Sequence, residues 1–106
     1  MQRPVWLLSM DSEQFNAPPT TTAGLASYYR HYGVRAQETA IDLVHFQRAE
    51  DIGPWLAAWA TTGPGRVREA LAAGLEPVLG FSVYTWNAAE FLALARQLRA
   101  LAPGLT

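Results

Sequence analysis

The sequence has no cysteine. Disulfides, thiolate zinc sites, cysteine nucleophiles and iron-sulfur ligation are thereby excluded from these 106 residues. Lysine is missing too, all eight basic residues being arginine, so the G-x-x-x-x-G-K-[ST] cradle for nucleotide phosphates cannot occur. Charge is sparse: 16% of residues are charged and the formal net charge is −1, which leaves no strong field to recruit nucleic acid or an anionic membrane. No apolar run approaches membrane-spanning length. The opening MQRPVWLLSMDSEQ has too short an apolar stretch for a secretory leader and no small-residue cleavage site, so cytoplasm is the expected compartment.

What is present is the composition of a folded domain. Half the residues are apolar, and the length suits a single domain over 1–106 with one core. After Pro4, the run Val5 to Met10 is continuously apolar apart from Ser9, as in a strand covered on both faces. Asp11 to Pro19 reads DSEQFNAPP, a loop forced by paired prolines. A helix is expected next, with Thr20, Thr21 or Thr22 as N-cap, apolar positions at Leu25, Tyr28, Tyr29 and Tyr32, and Gly33 at its end. A second, more polar strand is expected from Val34 to Leu43, with Asp42 near its carboxyl end.

Gly53 and Pro54 fit a helix start, with Trp55, Leu56 and Trp59 on one face as core or interface packing. GPG at 63–65 is expected to stop that helix before a second from Arg66 to Ala73. Pro77 to Tyr84 reads as the third strand. Asn87 with Glu90 resembles a capping box opening a helix of Phe91, Leu94, Ala95, Leu98 and Leu101. This β-α-β-α-α-β-α order predicts an α/β class, a Rossmann-like parallel sheet with flanking helices in flavodoxin-like order. Pro103-Gly104 followed by Leu105 is the run-in to a fourth strand, so truncation after the third βα unit is expected.

Ligands of such sheets lie beyond the carboxyl ends of the strands. The candidate positions are the first loop (Asp11, Ser12, Glu13, Gln14, Phe15, Asn16), the end of strand two (Asp42, His45) and the exit of strand three (Ser82 to Asn87). Asp11 and Glu13 are either an acid/base or metal pair or solvated turn residues. His45 has no second ligand at metal spacing and His31 sits among tyrosines, which disfavours a metal site. Asp42 mimics the ribose-binding acid of dinucleotide folds, but the first turn lacks G-x-G-x-x-G, which excludes a nicotinamide cofactor. A flavin reading lacks its Ser/Thr-Gly-rich cradle. At the third exit, Gly80 leaves room for a flat group, Ser82 offers a hydroxyl, and Tyr84, Thr85 and Trp86 are polar-tipped or aromatic. Two readings stand there: a wall for a planar ligand, or aromatic cover over the sheet end with Asn87 as helix cap.

Several features taken in order carry a resemblance. An apolar first strand, NAPP (Asn16 to Pro19), T-x-G-L-A-x-Y-x-R-x-x-G (Thr22 to Gly33), a strand ending I-D-L, then G-F-S-V-Y-T-W-N and a helix ending L-x-P-G look like the N-terminal cobalamin-binding domain of the B12-dependent radical SAM enzymes. The similarity spans nearly the whole chain. It implies a corrin ring seated at the strand ends by Asp11, Glu13, Phe15, Asn16, Ser82, Tyr84, Thr85, Trp86 and Asn87, with Phe15, Tyr84 and Trp86 shaping its lower face. The wider fold carries D-x-H-x-x-G in the first loop; Glu13 stands where that His would be, which implies cobalamin without a His lower ligand. Ser82-Val83-Tyr84 matches that fold's S-x-L, with Tyr84 for Leu.

The fold's Gly-Gly segment would lie past Thr106. No C-x-x-x-C-x-x-C is present, so the resemblance implies that the iron-sulfur cluster and S-adenosylmethionine belong to a radical SAM domain C-terminal in the same chain. The segment itself then supplies no catalytic residue and no metal ligand, and its parent is expected to be a methyltransferase. The alternative is a non-catalytic α/β interaction module that kept the fold and lost the ligand.

Overall fold

A computed structural model of the chain describes residues 1–11 and 20–106. Strand β1 (Arg3–Met10) is the centre of a three-stranded parallel sheet of order β2-β1-β3, with β2 at Thr39–Phe46 and β3 at Val78–Phe81. Helix α1 (Thr20–Tyr32) joins β1 to β2, α2 (Ile52–Ala72) joins β2 to β3, and α3 (Ala88–Leu101) follows β3. The α/β class, the parallel sheet and the strand order are those expected.

The register explains why β1 is apolar throughout. Trp6, Leu8 and Met10 share one face with Asp42, Val44 and Phe46 of β2 and with Leu79 and Phe81 of β3. On that face they meet Trp59 and Val67 of α2 and Phe91, Leu94 and Leu98 of α3 in one core. The opposite face carries Val5, Leu7 and Ser9 beside Ile41, Leu43 and His45, and α1 lies over it. Tyr29 Oη is 3.4 Å from Thr39 Oγ1, and Arg30 donates to the Ile41 carbonyl. Two helices thus cover one face and one covers the other, the arrangement right-handed crossovers impose when the third strand lands on the far side of the first.

Three local expectations are corrected. The second strand begins at Thr39, five residues later than read, because Ala36–Glu38 forms a short 3₁₀ turn; Asp42 is consequently mid-strand. There its carboxylate accepts a 3.0 Å bond from Arg66, whose guanidinium lies 4.9 Å from the centre of the Trp6 ring. The GPG at 63–65 does not end a helix, since α2 runs through it from Ile52 to Ala72. A Cβ at Gly63 would fall 2.1 Å from Trp59 Cε2, so the missing side chain is what lets the Trp59 indole lie back along its own helix. From that position it packs edge-on to Trp6, 5.5 Å between centroids.

Helix α2 ends instead at Ala72, stopped by Gly74 just beyond its cap. The Gly74 φ of +74° allows Leu75 N–H to reach the Ala70 carbonyl and Gly74 N–H to reach that of Leu71, closing the helix in a Schellman motif. No helix among the described residues is long and apolar enough to cross a membrane.

Candidate functional site

Strand order β2-β1-β3 places the point where successive connections leave for opposite faces between the carboxyl ends of β1 and β3. One peptide unit marks it. The Asp11 N–H donates to the Phe46 carbonyl on the β2 side. The Met10 carbonyl of the same unit accepts a 3.1 Å bond from Trp86 Nε1 on the β3 side. Trp86 therefore closes the end of the β1–β3 ladder with its polar edge while about half of the side chain stays in solvent. Tyr84 stacks on it, 4.5 Å between centroids and 2° between planes, and is itself 43% exposed. Its hydroxyl is 3.4 Å from Thr21 Oγ1 at the start of α1. Hydrogen bonds with Thr21 and then Ser82 hold the Tyr84 phenol below the ordinary tyrosine range.

The loop that presents this aromatic pair is built by Asn87. Fully buried, its Oδ1 accepts from Tyr84 N–H at 2.7 Å and its Nδ2 donates to the Ser82 carbonyl at 3.1 Å. The expected capping box is therefore not formed: Asn87 precedes α3 but makes no side-chain cap bond to it. Its amide is spent on the preceding turn. Ser82 N–H still bonds the Leu8 carbonyl, carrying the ladder one residue past β3, and Thr85 is exposed at the loop tip. Gly80 has a different role from the one read in the sequence. A Cβ there would come 2.8 Å from Leu7 Cδ2, so the space it leaves is filled by β1 rather than open to a ligand.

A second constellation was only partly visible in sequence. Ser9 Oγ lies 2.7 Å from His45 Nδ1, and His45 Nε2 lies 3.1 Å from Asp11 Oδ1. The second is a close approach and not a hydrogen bond, since the buried Nε2 makes none. The grouping has the residue types of a nucleophilic triad, but Ser9 is only 8% exposed and faces the imidazole from within the sheet. It fixes the His45 ring at the carboxyl ends of β1 and β2 instead of offering a nucleophile. Ser9 escaped the sequence reading because its partner depends on the register Ser9↔His45, which follows only once β2 is known to run to Phe46.

Neither family models, curated proteins nor solved structures match this chain. Of the expected site residues, the structure thus brings together Asp11, Ser82, Tyr84, Trp86 and Asn87 around one strand crossing, with Thr85 beside them. Glu13, Phe15 and Asn16 lie outside the described residues. Asp42, engaged by Arg66 on the α2 face, is separate from the group.

Proposed function

We propose that the chain is a cobalamin-binding module of a B12-dependent radical SAM enzyme, a methyltransferase, acting in the cytoplasm. One observation carries this reading: a half-exposed, parallel Tyr84–Trp86 stack stands at the carboxyl ends of β1 and β3, where open parallel sheets hold their ligands. An outer ring face of that stack, with the Tyr84 and Thr21 hydroxyls beside it, suits a corrin, which buries a broad apolar face and carries polar arms. Both nitrogens of His45 already face Ser9 and Asp11, in keeping with a lower face that lacks a His ligand. Tyr84, Trp86 and Ser82 would hold the ring, and Asp11 would meet its edge. The cofactor supplies methyl transfer when bound, with the iron-sulfur cluster and S-adenosylmethionine provided by a radical SAM domain farther along the same polypeptide.

The test is retention of hydroxocobalamin through a desalting column. The folded protein is expected to elute with corrin absorbance, Trp86→Ala and Tyr84→Ala to lose most of it, and His45→Ala to keep it. Complete loss of absorbance from the unaltered protein, with native circular dichroism, would overturn the proposal in favour of a non-catalytic interaction module.

A further inference from the structure

In the order β2-β1-β3, β2 is an outer strand, and among the described residues it pairs only with β1. The groups on its free edge follow from alternation. The Phe46 carbonyl faces β1, where it accepts from Asp11 N–H, so Ala40, Asp42 and Val44 turn the same way and the main-chain groups of Ile41, Leu43 and His45 point outward. The strand is eight residues long, TAIDLVHF, and the Leu43 side chain near its middle is 40% exposed. A long edge with an exposed apolar centre is a template for another strand. One contact stands on it. Arg30 of α1, exposed and in no ion pair among the described residues, donates through Nη2 to the Ile41 carbonyl at 3.4 Å.

We infer that β2 is a self-complementary edge, able to pair antiparallel with β2 of a second copy, and that the Arg30 guanidinium keeps it closed. A two-fold axis through Leu43 sets Leu43 against its own copy and Ile41 against His45, so the outward main-chain groups of all three residues find partners. Exposed apolar side chains then meet at the centre, and Asp42 falls opposite Val44. Moving the axis to Asp42 sets two carboxylates face to face, which is unfavourable. Moving it to Val44 leaves Ile41 opposite Gln47, beyond the strand. In the favoured register the His45 N–H of each copy needs the Ile41 carbonyl of the other. That carbonyl is the one Arg30 occupies, so a second copy must displace a guanidinium at both ends of the ladder. Arg30 thereby blunts this edge as charged side chains and prolines blunt others. β1 stands between this edge and the Tyr84–Trp86 exit, so nothing here rests on the corrin reading.

The test is sedimentation velocity over a range of concentrations, with hydrogen exchange read residue by residue. The unaltered protein is expected to be monomeric. Arg30→Ala, a change at an exposed helical position, is expected to self-associate at least about tenfold more tightly, with slowed exchange at the Leu43 and His45 amides. Leu43→Lys added to Arg30→Ala sets like charges against each other across the axis and is expected to restore the monomer. If Arg30 serves only to hold α1 to the sheet, Arg30→Ala lowers stability without association, and that result would overturn the inference. So would association that survives Leu43→Lys. An unaltered protein already paired through β2, with exchange at those two amides slow at high concentration and fast on dilution, would overturn it as well, because the edge would then be open.

Discussion

At the residue scale, Asn87 is the side chain on which the strand exit depends. It occupies the acceptor and donor places that would otherwise fall to water, and the water is excluded. Asn87→Ala strands the Tyr84 N–H and the Ser82 carbonyl, at a cost of about 1–3 kcal/mol, measurable by urea unfolding. Loss of the Tyr84–Trp86 stack should accompany it, read in the near-ultraviolet dichroism of those rings. Tyr84 itself gives a pH prediction. Because Thr21 and Ser82 favour its ionised form, the folded protein releases that proton at a lower pH than the unfolded chain. The resulting stabilisation is present above the unfolded tyrosine pKa and disappears as pH falls through the folded one. Ultraviolet titration should show a tyrosinate component below the ordinary range, and Tyr84→Phe should remove it.

Sequence made the type of residue at this exit visible but not its use. Tyr84, Trp86 and Asn87 were recognisable as unusual for a strand end, yet whether they covered the sheet or faced solvent depended on bonds to partners far away. Trp86 and Met10 are 76 positions apart. In the structure Trp86 does part of both: its N–H covers the sheet end, while its ring, stacked on Tyr84, stays about half exposed.

At the element scale, α2 is where local rules were overridden. Gly and Pro are the strongest helix breakers, and three in succession would stop an isolated helix. Here Gly63, Pro64 and Gly65 are carried through by burial on the sheet of Trp59, Gly63, Val67 and Ala70. That account separates two neighbouring substitutions. Pro64→Ala restores a helical N–H at a half-exposed position and should raise stability by up to about 3 kcal/mol. Gly63→Ala should instead lower stability by about 1–3 kcal/mol, because the new methyl collides with the Trp59 ring. Thermal melts of the two variants should shift in opposite directions. The other boundaries were legible where a physical stop coincided with the pattern: Tyr32 before Gly33, and Leu101 before Pro103-Gly104. The start of β2 was not, because alternation from Val34 continues smoothly into the true strand and nothing in those residues marks the intervening 3₁₀ turn.

At the scale of the whole molecule, the core is one-sided. Phe91, Leu94 and Leu98 of α3 are buried with Trp6 and Leu8, so truncating this layer removes contacts from both the sheet and α2. Leu98→Ala should cost about 2–5 kcal/mol, seen as a lowered denaturant midpoint with little change in slope. The fold class was readable because the order of apolar strands and amphipathic helices admits few parallel topologies. The sidedness of each helix was a consequence of that order.

The central place of β1 has a bearing on how the chain is made. Of the three strands, the first in chain order acquires its second neighbour last. Ser9 meets His45 only 36 positions on, and Met10 receives the Trp86 indole after 76. Until then VWLLSM is an apolar, two-edged ribbon emerging from the ribosome with nothing to pair against. That exposure follows from the strand order alone, and is separate from the strength of any contact in the finished fold.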